Sequence, residues 1–158
     1  MARIPVAPMH FAEVDEEDLD LLAQHSWRLK GKAPNLYAQA SINGHEVLMH
    51  RLILNAQSGR VVDHRNHNGL DNRRENIRLC SQQQNQFNRR KAAKTRSGLK
   101  GVVYMQPVGR RGNTTPWRAQ ATLNGRTVSL GRYATPEAAH AVYRHFIETH
   151  HGQFACPQ

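Results

Sequence analysis

Residues 61–85, VVDHRNHNGLDNRRENIRLCSQQQN, constrain this chain more than any other stretch. Two short apolar runs, Val61-Val62 and Ile77–Leu79, bracket a polar segment dense in Asn and Arg, the pattern of two strands joined by a long turn. Ser81 and Gln84 then stand at capping-box spacing and open a helix that is predicted to run to about Arg90. The chemistry sits at the joints of this strand–loop–strand–helix unit. Asp63 and His64 are adjacent on the first strand, Asn76 precedes the second, and Asn85 lies on the helix. A neutral imidazole can take a proton from water near pH 7. Asp63 and Asn85 offer hard oxygen donors that suit Mg²⁺ or Mn²⁺. Together they can hold one divalent metal and one general base against a phosphodiester. Taken singly, each residue also has a plainer reading. His64 alone would be a hydrogen-bonded structural histidine, and Asn85 one more polar residue on a helix face with Gln82, Gln83, Gln84 and Gln86.

The stretch from Met49 to Arg89 resembles the HNH nuclease motif, a ββα-metal fold. His64 takes the place of the first His, Asn76 the central Asn, and Asn85 the last ligand position, where some members carry Asn instead of His. The resemblance implies that His64 is the general base, that Asp63 and Asn85 bind the metal, and that Asn76 fixes the turn and the imidazole orientation. His50-Arg51-Leu52 matches an HRL element found upstream of this type of core, with a supporting or phosphate-contacting role for His50 and Arg51. Arg73, Arg74, Arg78, Arg89, Arg90 and Lys91 are expected phosphate contacts, since arginine pairs with phosphate without reading sequence. His67, in the loop, can contact phosphate or be idle.

The charge supports a polyanionic partner. The chain carries 22 Lys and Arg against 12 Asp and Glu, a net charge of +10, and Glu13, Asp15, Glu16, Glu17, Asp18 and Asp20 concentrate acid near its start, so the remainder is still more basic. Double-stranded DNA is the first candidate. Cys80 and Cys156 form no CxxC pair, so neither a structural zinc nor a disulfide framework is expected. No apolar run approaches the 18 or so residues a membrane helix needs, and the N-terminus has no signal-peptide apolar region. The expectation is a protein without membrane partner or small-molecule cofactor, cytoplasmic in a bacterial or phage-infected cell.

Around the motif, Val14-Asp15 is predicted to open a short acidic helix capped by Asp15, with Leu19, Leu21 and Leu22 on its apolar side. Short strands are expected at Trp27–Leu29, Leu36–Ala40 and Glu46–Met49, with a tight turn at Asn43-Gly44. Leu52, Ile53 and Leu54 form a short segment before Gly59. Residues 89–100 (RRKAAKTRSGLK) are basic and poor in large apolar groups, and read as a linker that can lie along a DNA groove. Beyond it, Gly101–Met105, Trp117–Leu123 and Arg126–Leu130 alternate as strands, with a turn at Asn124-Gly125. Thr135-Pro136-Glu137 starts a helix with Ala138, Ala139, Val142, Tyr143 and Phe146 on its apolar face, ended by Gly152.

Residues 97–155 resemble the plant ethylene-response-factor (Apetala-type) DNA-binding domain, through SGLKGVVY, WRAQATLNG, VSLGRYATPEAAHAVY and GQFA. In that family the sheet face opposite the helix lies in the major groove. Alternation assigns Trp117, Ala119, Ala121 and Leu123 to the helix side and Arg118, Gln120 and Thr122 to the outer face; Lys100, Thr127 and Ser129 join them by position. The plant domains place several Arg and a Trp on this face, where Val103, Met105, Thr122, Thr127 and Ser129 stand here.

The fold class expected is α+β: a nuclease domain over 1–90 with a β-rich N-terminal extension, a linker over 91–96, and a three-stranded antiparallel sheet packed on one helix over 97–158. The function implied is a metal-dependent DNA endonuclease or nickase of the HNH homing type found in phages and mobile elements. Two other classes remain open: a non-catalytic DNA-binding regulator with a decayed nuclease core, and an RNA-binding or assembly protein.

Overall fold

The computed structural model describes residues 1–88, 96–106, 115–123 and 125–154, without the side chains of residues 87, 151 and 153. The chain divides into two compact units, Met1–Asn85 and Gln86–Gln158. It is a mixed α and β protein of several small antiparallel sheets and few helices.

The first unit opens with a hairpin that sequence reasoning missed: β1 (Ala2–Ala7) pairs with β2 (His10–Val14), with a register shift between Pro5 and Ala7. Pro5 and Pro8 disguise it, because proline normally demotes a strand. Alternation still turns Ile4, Val6, Ala12 and Val14 onto the core. A 3₁₀ turn over Glu16–Asp18 and α1 (Leu19–Ala23) follow. Asp15 occupies the cap position with extended backbone, but its carboxylate makes no cap bond; it accepts the Arg74 backbone N–H at 2.8 Å instead. Leu22 is fully buried and Leu19 packs beside the core, whereas Leu21, expected inward, is exposed.

β3 (Arg28–Lys32), β4 (Asn35–Ile42) and β5 (His45–Leu48) form an antiparallel meander. The Asn43-Gly44 turn has both residues at positive φ, 52° and 79°, the backbone that a two-residue hairpin requires. β5 stops at Leu48 because α2 (Met49–Ile53) begins there. This helix was not predicted, since five residues are too few to show a helical period. Met49 and Ile53, four apart, face the core from one side of it. β6 (Val61–His64) and β7 (Ile77–Cys80) pair with Asp63 opposite Arg78 and His64 opposite Ile77. In α3 (Gln82–Phe87), the capping box is formed in both directions: Ser81 N–H donates to Gln84 Oε1 at 2.8 Å, and Gln84 N–H to Ser81 Oγ at 3.1 Å. One core, Val6, Ala12, Val14, Leu22, Ala38, Met49, Ile53 and Ile77, joins the first hairpin, the meander, α1, α2 and β7.

In the second unit β8 (Val102–Tyr104), β9 (Trp117–Leu123) and β10 (Arg126–Tyr133) make a sheet in the order β10-β9-β8, packed on α4 (Pro136–His151). Thr135 Oγ1 caps α4 by accepting the Ala138 N–H at 3.2 Å, and Pro136 sits in its first turn. The core combines Val102, Ala119, Ala121, Ala139, Tyr143 and Ile147. Ile147 was not among the expected helix residues, and Ala138, which was, is exposed. Leu123 is half-buried and outside these clusters. Arg89, Arg90, Lys91, the rest of the expected 91–96 linker up to residue 95, and Asn124 lie outside the described residues. Among the described residues no helix is long and apolar enough to cross a membrane.

Candidate active site

β6 brings Asp63 and His64 to one strand end, and alternation separates their surroundings. Asp63 is buried against β7, where Arg78 donates to its Oδ2 through Nε at 2.8 Å and through Nη2 at 2.6 Å. The Arg78 guanidinium, expected at a phosphate, is thus buried on a carboxylate. His64, 7 % exposed, packs among Tyr37 of β4, His50 of α2 and Asn72 of the loop. The His50 ring meets it edge to face at 4.9 Å, and the Tyr37 ring lies 5.8 Å from His50 and 5.9 Å from His64. Tyr37 is itself backed by Gly69, where a Cβ would come within 2.5 Å of the tyrosine ring.

Asn72 decides the tautomer of His64. Its Nδ2 donates to the Leu70 carbonyl at 3.2 Å, so its Oδ1 faces His64 Nε2 at 3.3 Å. Nε2 then carries the hydrogen, and the lone pair is on Nδ1. Burial lowers the His64 pKa below the ordinary histidine value, while Asn72, Asp63 and Asp71 push it back up. The ring is therefore neutral at pH 7, the form a general base needs. His50 is lowered further, to about 3, by burial and by the neighbouring His64 and Arg51. Its Nδ1 is buried without a partner among the described residues. A neutral, buried His50 presents no cation to a phosphate and supports the His64 ring instead.

Asn76 locks the loop. Its Oδ1 accepts the Asn66 N–H at 3.0 Å and its Nδ2 donates to the Asp71 carbonyl at 2.7 Å. These bonds tie Asn66 to Asp71 across the turn; the contact to the imidazole is made by Asn72. Arg73 grips Asp71 with Nε and Nη2, each at 2.8 Å, and also pairs with Glu75. That grip holds the Asp71 carboxyl below its usual pKa. Arg74 pairs with Asp18 and Glu17. Arg51 donates to the carbonyls of Ala56, Gln57 and Arg60, closing the loop after α2. His67 stands in that motif loop at φ 62°, its N–H bonded to the His64 carbonyl. Of the expected phosphate contacts in this unit, Arg51, Arg73, Arg74 and Arg78 all have internal partners.

Asn85 is half-buried on α3, its N–H bonded to Ser81 O at 3.0 Å. The metal donors the sequence offers are thus one carboxylate and one amide oxygen, a hard set that fits Mg²⁺ or Mn²⁺, with Arg78 sharing the Asp63 carboxylate. Among the described residues no cluster of three or more His, Cys, Asp or Glu forms a metal cage. Cys80 is buried as a free thiol. Asn72 and Tyr37 were missed by sequence reasoning. Asn72 is one of four asparagines between residues 66 and 76, with nothing to set it apart, and Tyr37 lies on a different sheet.

These observations have a counterpart in known proteins. The HNH endonuclease profile matches residues 47–87, which contain His50, Asp63, His64, Asn72, Asn76 and Asn85. An uncharacterised HNH endonuclease of Acanthamoeba polyphaga mimivirus is 31% identical over 150 residues, covering 93% of this chain and 74% of the viral protein. The chain belongs to the HNH endonuclease family. No solved structure gives a significant match.

The nuclease carries a second surface of interest, on its second unit. Cross-strand register places Thr127 opposite Thr122 and Ser129 opposite Gln120. The bulge between Ser129 and Gly131 then sets Arg132 opposite Arg118, adding an arginine that simple alternation from Ser129 did not identify. Arg118 Nη2 donates to Gln120 Oε1 at 2.7 Å, and Val103 lies opposite Arg118 on the other side. Lys100 is in the turn before β8, where its carbonyl accepts His140 Nδ1–H at 3.0 Å.

Proposed function

We propose that this HNH endonuclease hydrolyses phosphodiester bonds in double-stranded DNA with the help of a divalent metal, as a site-preferring nuclease or nickase of the homing type. The observation that carries the chemistry is His64: a neutral, buried imidazole whose Nε2–H is directed to Asn72, the tautomer in which Nδ1 is the atom that takes a water proton. Nδ1 accepts that proton as the water oxygen bonds to phosphorus in line with the departing 3′ oxygen. Asp63 and Asn85 are the residues that would hold Mg²⁺ or Mn²⁺, which supplies charge stabilisation for the phosphorane and the leaving oxygen. The imidazolium that forms is stabilised by Asn72 and by the nearby Asp63 and Asp71 charges. The outer sheet face with Arg118, Gln120, Thr122, Thr127, Ser129 and Arg132 supports DNA docking by the second unit, and with it a preference for particular sites.

The test is nicking of supercoiled plasmid with Mg²⁺. His64→Ala should lower the rate on the order of 10²- to 10⁴-fold while the Kd for duplex DNA stays at the wild-type value, and EDTA should stop the wild-type reaction. Wild-type nicking by His64→Ala, or full activity in EDTA, overturns the reading.

A further inference from the structure

The segment before residue 47 lies outside the HNH match, yet it holds the loop that holds His64. Glu13 on β2 brackets that loop from both sides: its N–H donates to the Leu70 carbonyl and its carbonyl accepts the Asn72 N–H, each at 2.8 Å. Glu13 and Asp71 form an isolated parallel bridge. Two residues on, the acidic turn takes hold of Arg74. Asp15 Oδ2 accepts its backbone N–H at 2.8 Å, and the buried Asp18 takes its guanidinium through Nε at 3.1 Å and Nη2 at 2.6 Å. Glu17 adds a further ion pair. The fully buried Asn72, whose Oδ1 faces His64, is thus held by a backbone bond to Glu13, with Arg74 anchored two residues beyond it.

We propose that Arg74 and Asp18 are positioning residues for cleavage: their forked ion pair anchors the motif loop to the N-terminal hairpin and acidic turn so that Asn72 meets His64 in the productive orientation. The inference rests on His64 being the base. It gives the clustered acids Asp15, Glu17 and Asp18 a role in an otherwise basic chain, and it assigns Arg74 to the loop anchor and not to a phosphate. A misplacement of about 1 Å in such a support can cost about 10²-fold in rate without contact to substrate.

The two roles of Arg74 predict opposite results in the full-length protein. As an anchor, Arg74→Gln and Asp18→Asn should each lower single-turnover nicking about 10-fold or more at saturating protein, with the Kd for duplex DNA and its salt dependence unchanged. The exchange of partners, Asp18→Arg with Arg74→Asp, should recover part of the loss. Should Arg74→Gln fail to fold, Arg74→Lys, which keeps the charge but not the fork, reads the same quantity. As a phosphate contact, Arg74→Gln would instead weaken DNA binding and reduce the salt slope by about 0.9, and Asp18→Asn would leave cleavage intact or tighten DNA binding; either result overturns the proposal. His64→Ala is measured alongside. If it cleaves normally, the assignment of the base has failed; if it is inactive while Arg74→Gln and Asp18→Asn cleave at the wild-type rate, the anchor alone has failed.

Discussion

Buried histidines govern how this protein responds to acid. His50 titrates near 6.5 in the unfolded chain and at about 3 in the fold. Between those values the unfolded state binds a proton that the folded state excludes, so stability must fall as pH is lowered, by at most about 1.4 kcal/mol per pH unit for one proton. His64 is shifted in the same direction, also by burial. Asp71 is shifted down by its bonds to Arg73, and its contribution is lost only below the ordinary carboxyl value of 3.8, beneath the range in which the histidines act. Urea unfolding at pH 7, 5.5 and 4.5 should therefore show a steady loss in the wild type and a shallower one in His50→Phe, which keeps an aromatic ring beside His64 but removes the titrating group. Identical slopes would show that His50 titrates normally in the fold. The arginines obey a related logic. A buried carboxylate such as Asp63 or Asp18 needs a cation more than the solvent does, and breaking the buried Arg78–Asp63 pair from one side would cost about 3–5 kcal/mol.

Among the elements, β8 and α4 meet closely at one glycine. Gly101 has φ +75°, and a Cβ there would stand 2.1 Å from the Tyr143 ring, the aromatic centre of the α4 face. Gly125, in the β9–β10 turn, has the same φ with nothing within 4 Å. The pair separates backbone strain from crowding. Gly125→Ala should cost only the left-handed penalty, about 1–2 kcal/mol. Gly101→Ala should add about 1–3 kcal/mol of overpacking, because Tyr143 is buried and has no room to give. Chemical unfolding of the two variants measures the difference; equal losses would mean that Tyr143 moves aside freely. The Asn43-Gly44 turn, the Ser81–Gln84 box and the Thr135 cap are of the opposite kind. Each is satisfied within four residues and formed as its local pattern demands.

For the molecule as a whole, the count of 22 Lys and Arg overstates the cations open to DNA. Arg73, Arg74 and Arg78 are engaged with carboxylates, and Arg51 with backbone carbonyls. The outer sheet face of the second unit has Arg118 and Arg132 side by side in register. If this face meets DNA, Arg118→Ala with Arg132→Ala should weaken duplex binding by the full-length protein. The slope of log K against log salt should also shrink, by about 0.9 for each phosphate the variant no longer neutralises. Nicking at saturating protein should stay near wild type, since the His64 cluster is built from residues of the first unit. An unchanged slope would remove this face from the DNA interface.

What the sequence by itself determined about this protein is what one short stretch contains: the hairpin turn at Asn43-Gly44, the caps of α3 and α4, and, within residues 61–85, the β6–β7 pair and the resemblance to the HNH motif. Local backbone preference and side-chain spacing are complete in such windows. The tertiary structure alone decided which groups serve His64. Tyr37 and His50 reach it from β4 and α2, Asn72 is singled out from its neighbouring asparagines by facing the ring, and Arg74 finds Asp18 56 positions away. The first hairpin, hidden by its prolines, is part of that same decision. A buried charge or amide is stable only where a complementary group meets it, and which groups meet depends on how distant strands pack, which no short window of sequence contains.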